Sequence, residues 1–216
     1  SLFPACEELA GGTPDRARFG LPQEAVVYAS FNNSYKIDAE LLQAWIEISR
    51  KVPNAVFLVY VPRPAVKYVS RFWREHVGLG EQLIFAGKLP PVEHSDRAAS
   101  CDLFLDAFRY SAGATAVTAL AAGLPLLSRE GVTLASRFGT SLNRFLGLEQ
   151  LICPDTQSYV DRAIVVGQDR QLRESLKSDV RASVAASKFL DPSRTARALE
   201  DVFRHELRQT RKSQNT

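Results

Sequence analysis

The stretch that most narrows the possible folds is residues 101–129, CDLFLDAFRYSAGATAVTALAAGLPLLSR. Residues 102–105 form a short apolar run bounded by acids, the pattern of a strand buried on both faces. A turn follows over 108–112, then the almost uniformly small GATAVTALAA at 113–122, then a second apolar run closing on Leu127. Strand, turn, small-residue helix and strand make one βαβ unit. In such sheets ligands settle in the crevice at the strand C-termini, where the strand order reverses. A helix that opens on Gly113-Ala114-Thr115 offers unpaired N–H groups with no bulky side chain in front of them, which suits a diphosphate. Small residues also let a helix pack close to a sheet, so on these residues alone both readings stand.

The rest of the chain repeats the alternation. Residues 25–31 (AVVYASF), 55–61 (AVFLVYV), 83–86 and 151–153 read as strands. Residues 39–52, 66–76, 91–99, 133–146, 155–167 and 169–187 read as helices, the first of them capped by Asp38. Pro62 and Pro64 are expected to break the chain before the third unit. In the last helix, 193–207, Ala196, Leu199, Val202, Phe203 and Leu207 fall on one stripe. Strands alternating with helices imply an α/β, Rossmann-like three-layer domain with a mostly parallel sheet. Its expected limits are 20–190, after a linker or N-terminal tail at 1–19 and before a C-terminal helix at 191–208 and a polar tail at 209–216.

Composition excludes several classes. Hydrophobic content of 45%, charged content of 24% and a net charge of +3 over 216 residues describe a soluble globular chain, with no call for nucleic acid or membrane. No apolar run reaches the length of a membrane span. Cys6, Cys101 and Cys153 are too scattered for a disulfide framework or a zinc site, which points to a reducing, cytoplasmic setting. The absence of Met, even at position 1, suggests a piece or a processed form of a longer protein.

Fold alone names no chemistry. The turn after the first strand, Phe31-Asn32-Asn33-Ser34-Tyr35-Lys36, contains neither a GxGxxG fingerprint nor a P-loop. What the turns offer is Lys36, then His94 and Arg97, then the helix start at 113–115. Any of these taken singly is an ordinary surface or capping residue. His76 and His205 read as surface, and Trp45 as core.

Four separated motifs change that reading: SFNNSYKID (30–38), IFAGKLPPVEH (84–94), DLFLDAFRYSAGATAVTALAAGLPLL (102–127) and GVTLASRFGTSLNRFLGLEQLI (131–152). In order and spacing they resemble the C-terminal catalytic half of the O-linked N-acetylglucosamine transferases and their bacterial and SPINDLY-like relatives, over about residues 20–208. The resemblance implies the second, donor-binding half of a GT-B architecture. It implies a missing N-terminal Rossmann-like half, tetratricopeptide repeats, and a last helix packing back toward that missing half. It also implies an inverting transferase that moves N-acetylglucosamine from a UDP-sugar to Ser or Thr hydroxyls of a protein acceptor, without a metal or other cofactor.

By the same resemblance, Lys36 is the catalytic residue beside the donor diphosphate. Asn33, Leu89, His94, Arg97, Gly113, Ala114, Thr115 and Thr118 are the donor-binding set, His94 and Arg97 on the nucleoside side and Thr115 at the diphosphate. Ser136 and Arg137 are also retained. Departures are equally specific: Gly113, Ala114 and Thr118 stand where the family carries His, Thr and a ribose-binding Asp, and Pro91 stands at a family lysine. A threonine cannot supply a carboxylate's charged, two-acceptor contact. The alternatives are a degenerate, non-catalytic binding module of the same fold and a transferase using a different nucleotide sugar.

Overall fold

The computed structural model describes residues 11–77, 82–187 and 190–214. Six strands, β1 (Val26–Ser30), β2 (Ala55–Tyr60), β3 (Leu83–Ala86), β4 (Leu103–Leu105), β5 (Leu126–Arg129) and β6 (Ile152–Cys153), form one parallel sheet in the order β3-β2-β1-β4-β5-β6. The order reverses between β1 and β4, where Tyr28 pairs with Leu103 and Ala29 with Phe104. Helices cover both faces, so β1 and β4 are buried along their whole length, as their unbroken apolar runs require.

On one face α1 (Ala39–Lys51) packs with α2 (Arg63–Val77) and α6 (Thr156–Gln168); on the other α4 (Ala114–Ala121) packs with α3 (Pro91–Ala99) and α7 (Arg170–Ala186). Side-chain caps start three of these helices. Asp38, Asp155 and Asp169 accept from the amides of Leu41, Ser158 and Leu172. The core beneath α1 is aromatic: Trp45 and Trp73 are fully buried against Phe57, with centroids 6.2 and 5.0 Å from its ring. Cys101 and Cys153 are free, buried thiols, and burial pushes them up to about 12 and about 11. Among the described residues no helix is long and apolar enough to cross a membrane.

Some elements differ from the sequence reading. Pro64 does not break the chain; it lies in the first turn of α2, where its missing N–H would have no partner anyway. The helix expected from 133 begins as α5 only at Phe138 (Phe138–Phe145). The reason is local. Ser136 Oγ bonds the Thr133 carbonyl at 2.9 Å and receives its amide at 3.0 Å, diverting 133–136 into a turn. The last helix, α8 (Pro192–Gln214), runs through the backbone of the expected tail up to 214, since no Gly or Pro stops it. Leu199, Val202, Phe203 and Leu207 stay exposed along it.

The lead is also more than a linker over the residues described. Gly11 donates to the Ala121 carbonyl at 3.1 Å, and the Asp15 amide to Ser100 Oγ at 2.8 Å. Arg16 spreads its guanidinium over the carbonyls of Pro22, Gln23, Ala25 and Ser100 and pairs with Asp102 at 2.7 Å. A single arginine thus ties the lead to the N-terminal edges of β1 and β4. Residues 1–10, with Cys6, lie outside the described residues.

Candidate functional site

The chain leaves β1 into residues 31–36 and leaves β4 into residues 106–113, so both loops rise from the C-terminal edge of the sheet at its reversal point. Between them lies an open recess of about 310 Å³, lined by Phe31, Asn32, Asn33, Tyr35, Lys36, Tyr60, Tyr110, Gly113, Ala114 and Thr115. A larger cavity, about 430 Å³, sits at the opposite edge of the sheet around Arg16, Asp102 and Lys177. There Arg16 and Lys177 are both paired with the Asp102 carboxylate. Parallel sheets hold ligands at the other edge, which makes the smaller recess the candidate site.

Lys36 closes a one-turn helical segment, Ser34–Lys36, whose first carbonyls hold it in place: the Lys36 amide donates to the Asn33 carbonyl at 2.9 Å. Its ammonium reaches across the recess. It donates to the Ser111 carbonyl at 3.0 Å and stands 4.0 Å from the centroid of the Tyr110 ring. Partial burial pushes the Lys36 amine below its ordinary value, and the negative charge of Asp106 opposes that shift. Gly113 is the N-cap of α4, its carbonyl already taking the amides of Ala116 and Val117. Ala114 and Thr115 therefore present their own amides at the helix start, where the dipole favours an anion. The ammonium and this helix start share one recess, as a diphosphate grip requires.

The remaining predicted residues divide. Thr118 is one turn further along α4 and does not line the recess; its hydroxyl bonds back to the Ala114 carbonyl at 3.2 Å. His94 and Arg97 lie behind Phe31, whose ring is the partition. The His94 ring meets it edge-on at 4.7 Å and the Arg97 guanidinium lies 5.1 Å from its centroid. Arg97 is buried, held by the Gly87 carbonyl at 2.7 Å and by His94 Nδ1 at 3.1 Å. Burial, with the neighbouring Arg97 charge, pushes His94 down to about 4, so its imidazole is neutral at physiological pH. Leu89 is half-buried before α3 and does not line the recess.

Sequence reasoning missed Asp106, Ser111, Tyr35, Tyr60 and Tyr110. Asp106 had a signal: an acid directly after an apolar strand, at the edge where ligands sit. Its buried carboxylate accepts from the amides of Ala107 at 2.8 Å and Ala112 at 2.7 Å, and from the hydroxyls of Ser111 and, at 3.3 Å, Ser128. Ser111 Oγ in turn receives the Gly139 amide at 2.7 Å. Among the described residues no group of three His, Cys, Asp or Glu could hold a metal.

A parallel sheet with such a recess at its reversal point is the Rossmann-like half-unit of GT-B glycosyltransferases, and solved structures share it. An O-GlcNAc transferase mutant from Thermobaculum terrenum superimposes with a TM-score of 0.82 at 24% identity, over 94% of this chain and 38% of that one. Anabaena Alr3699/HepE in complex with UDP and glucose gives 0.66 at 16% identity, over 92% of this chain and 55% of that one.

The chain belongs to glycosyl transferase family 41, whose family model matches residues 12–199. It is 28% identical over 189 residues to the UDP-N-acetylglucosamine--peptide N-acetylglucosaminyltransferase of Caenorhabditis elegans, 87% of this chain and 16% of that protein. It is 27% identical over 192 residues to the probable enzyme of that name, SEC, from Arabidopsis thaliana, 88% of this chain and 20% of that protein. The chain thus spans a fifth or less of the length of these two relatives and corresponds to the C-terminal part of the family's catalytic region.

Proposed function

We propose that this chain is the nucleotide-sugar-binding half of an inverting, metal-independent glycosyltransferase that passes a sugar from a UDP-linked donor to Ser or Thr hydroxyls of a protein. One observation carries the reading: the Lys36 ammonium and the opening amides of α4 face the same recess at the sheet's reversal point. As the bond from sugar to diphosphate breaks, negative charge grows on the departing UDP. A fixed ammonium and helix-start amides offset that charge where it develops, which lowers the barrier rather than merely tightening binding.

On this reading Asn33, Gly113, Ala114 and Thr115 hold the diphosphate with Lys36. His94, as a neutral ring, forms the nucleoside side with Leu89, and Arg97 keeps the His94 ring in place across Phe31. Thr118, bonded to its own helix, gives the ribose no carboxylate, so ribose affinity is weaker than in members with the acid. N-acetylglucosamine is the sugar expected from the relatives' names. The protein acceptor, the second wall of the cleft and the tetratricopeptide repeats belong to a missing N-terminal half, onto which the exposed stripe of Leu199, Val202, Phe203 and Leu207 packs. Two inert, buried thiols fit a reducing, cytoplasmic compartment.

Titration calorimetry of the chain with UDP, UDP-N-acetylglucosamine, GDP and CMP tests the proposal. Saturable binding of UDP and its sugar that falls at least about tenfold in Lys36→Ala is expected, the loss of one charged contact being about 1.5–3 kcal/mol. A preference for GDP or CMP replaces the donor assignment. Silence with every nucleotide refutes the donor site and leaves a non-catalytic module.

A further inference from the structure

Asp106 makes none of the donor contacts assigned above, yet it is 1% exposed directly beneath them. Its two carboxylate oxygens meet four donors, two backbone amides and two hydroxyls, and these contacts span the loop from Ala107 to Ala112 and the neighbouring strand at Ser128. Ser111 Oγ accepts from the Gly139 amide and donates its own proton to Asp106. The two backbone amides can only donate, so they need the carboxylate oxygens as acceptors. Burial pushes the Asp106 carboxyl above its ordinary value, and the Ser111 hydroxyl, these two amides and the Lys36 charge work against that shift. The cradle is made to measure: a Cβ on Gly139 would run into Asp106 Oδ2 and come within 2.5 Å of Ser128 Oγ and 2.8 Å of Ser111 Oγ. The same loop carries the Ser111 carbonyl that takes the Lys36 ammonium, and it ends at the N-cap of α4.

We propose that Asp106 is a positioning residue for Lys36: its buried carboxylate sets the course of residues 107–113, aims the Ser111 carbonyl at the ammonium and supplies the negative charge that holds this cation beside the start of α4. The proposal deepens the donor-site reading and rests on it. The other titratable groups of the recess are Tyr35, Tyr60 and Tyr110, and Asp38 lies two residues beyond Lys36 in the chain. Asp38 pairs with Arg109 Nε at 2.8 Å, Tyr110 presents its ring face, and Tyr35 lies beside Tyr110 with centroids 6.1 Å apart. Asp106 is the carboxylate whose charge acts on the Lys36 amine.

The test follows Lys36 itself, by the pH titration of its ¹³Cε chemical shift in the isotopically labelled chain, with calorimetry of UDP binding alongside. Asp106→Asn keeps the shape and removes the charge. It is expected to lower the Lys36 midpoint by about one pH unit or more, the usual effect of losing a close opposite charge, and to weaken UDP binding by about tenfold or more. Ser111→Ala keeps the charge, so it weakens UDP binding while leaving the midpoint near that of the unaltered chain. A folded Asp106→Asn chain with an unmoved midpoint and unchanged UDP affinity overturns the proposal.

The unaltered chain gives a second reading, which stands even if Asp106→Asn does not fold. The Lys36 signal should show an additional acid-side inflection as Asp106 takes up its proton, and that inflection should survive Asp38→Asn. Its absence overturns the proposal. If UDP does not bind at all but the Lys36 midpoint still depends on Asp106, the positional coupling holds and the donor-site assignment fails, so the two failures are told apart.

Discussion

Replacing Asp102 by Ala should cost more stability than any substitution in the recess. Asp102 stands just before β4, 4% exposed, and its two oxygens accept from the Val27 amide at 2.8 Å, Arg16 Nη2 at 2.7 Å and Lys177 Nζ at 2.8 Å. One carboxylate therefore fastens the lead, strand β1 and helix α7 to β4. Removing it leaves the buried Lys177 ammonium without its counter-ion and the Val27 amide without an acceptor. Breaking a buried pair from one side costs about 3–5 kcal/mol, a large share of the roughly 5–15 kcal/mol that holds a domain together. Urea unfolding followed by fluorescence reads this directly, because Trp45 and Trp73 are both fully buried.

The paired variant Asp102→Leu with Lys177→Met removes both charges and should recover a good part of the loss. Acid supplies a further arm. Burial pushes the Asp102 carboxyl up, but Lys177, the Val27 amide and Arg16 outweigh it and leave it below its ordinary value. A depressed folded pKa contributes stability that is present above the unfolded carboxyl's pKa of about 3.9 and is lost as pH falls toward the folded value. The gap between the unaltered chain and Asp102→Ala should therefore narrow below about pH 4. A single-variant loss under about 1 kcal/mol at pH 7, or a double variant no better than the single, would refute the reasoning.

Gly139→Ala should lower the melting temperature by several degrees, since forcing a methyl against Asp106, Ser111 and Ser128 costs about 1–3 kcal/mol. An unchanged midpoint in differential scanning calorimetry would show that the cradle has slack. For His94, pushed down to about 4, the ring should stay neutral in ¹⁵N spectra at pH 6, and a midpoint near 6.5 would contradict the burial argument. Its linkage has a definite sign: the folded pKa lies below the unfolded one, so the neutral ring's contribution is full above about 6.5 and is lost as pH falls to about 4.

The fold was legible because its central strands are buried on both faces and so announce themselves as unbroken apolar runs. Leu83–Ala86 and Pro91–Ala99 fall where the sequence puts them. The errors sit where side chains bargain with the backbone: Ser136 diverting a helix start, Pro64 absorbed into a first turn, and Arg16 fastening a lead whose composition suggests a linker. In the recess, Lys36 and Gly113–Thr115 could be named from sequence because Lys36 falls in the loop after one strand and Gly113–Thr115 at the helix start after another. Their being neighbours depends on β4 pairing with β1, a contact between residues far apart in the chain. Asp106 and Tyr110 escaped notice because their meaning lies in what surrounds them. Thr118 stands one turn along α4 from the recess, and its hydroxyl stays with its own backbone.

Phe31 has a consequence of its own. It walls the recess on one side and on the other touches His94, Arg97 and Phe104. Close-packed interiors transmit displacement instead of absorbing it. Whatever fills the space beside Lys36 and leans on that ring therefore presses on α3 through His94 and Arg97.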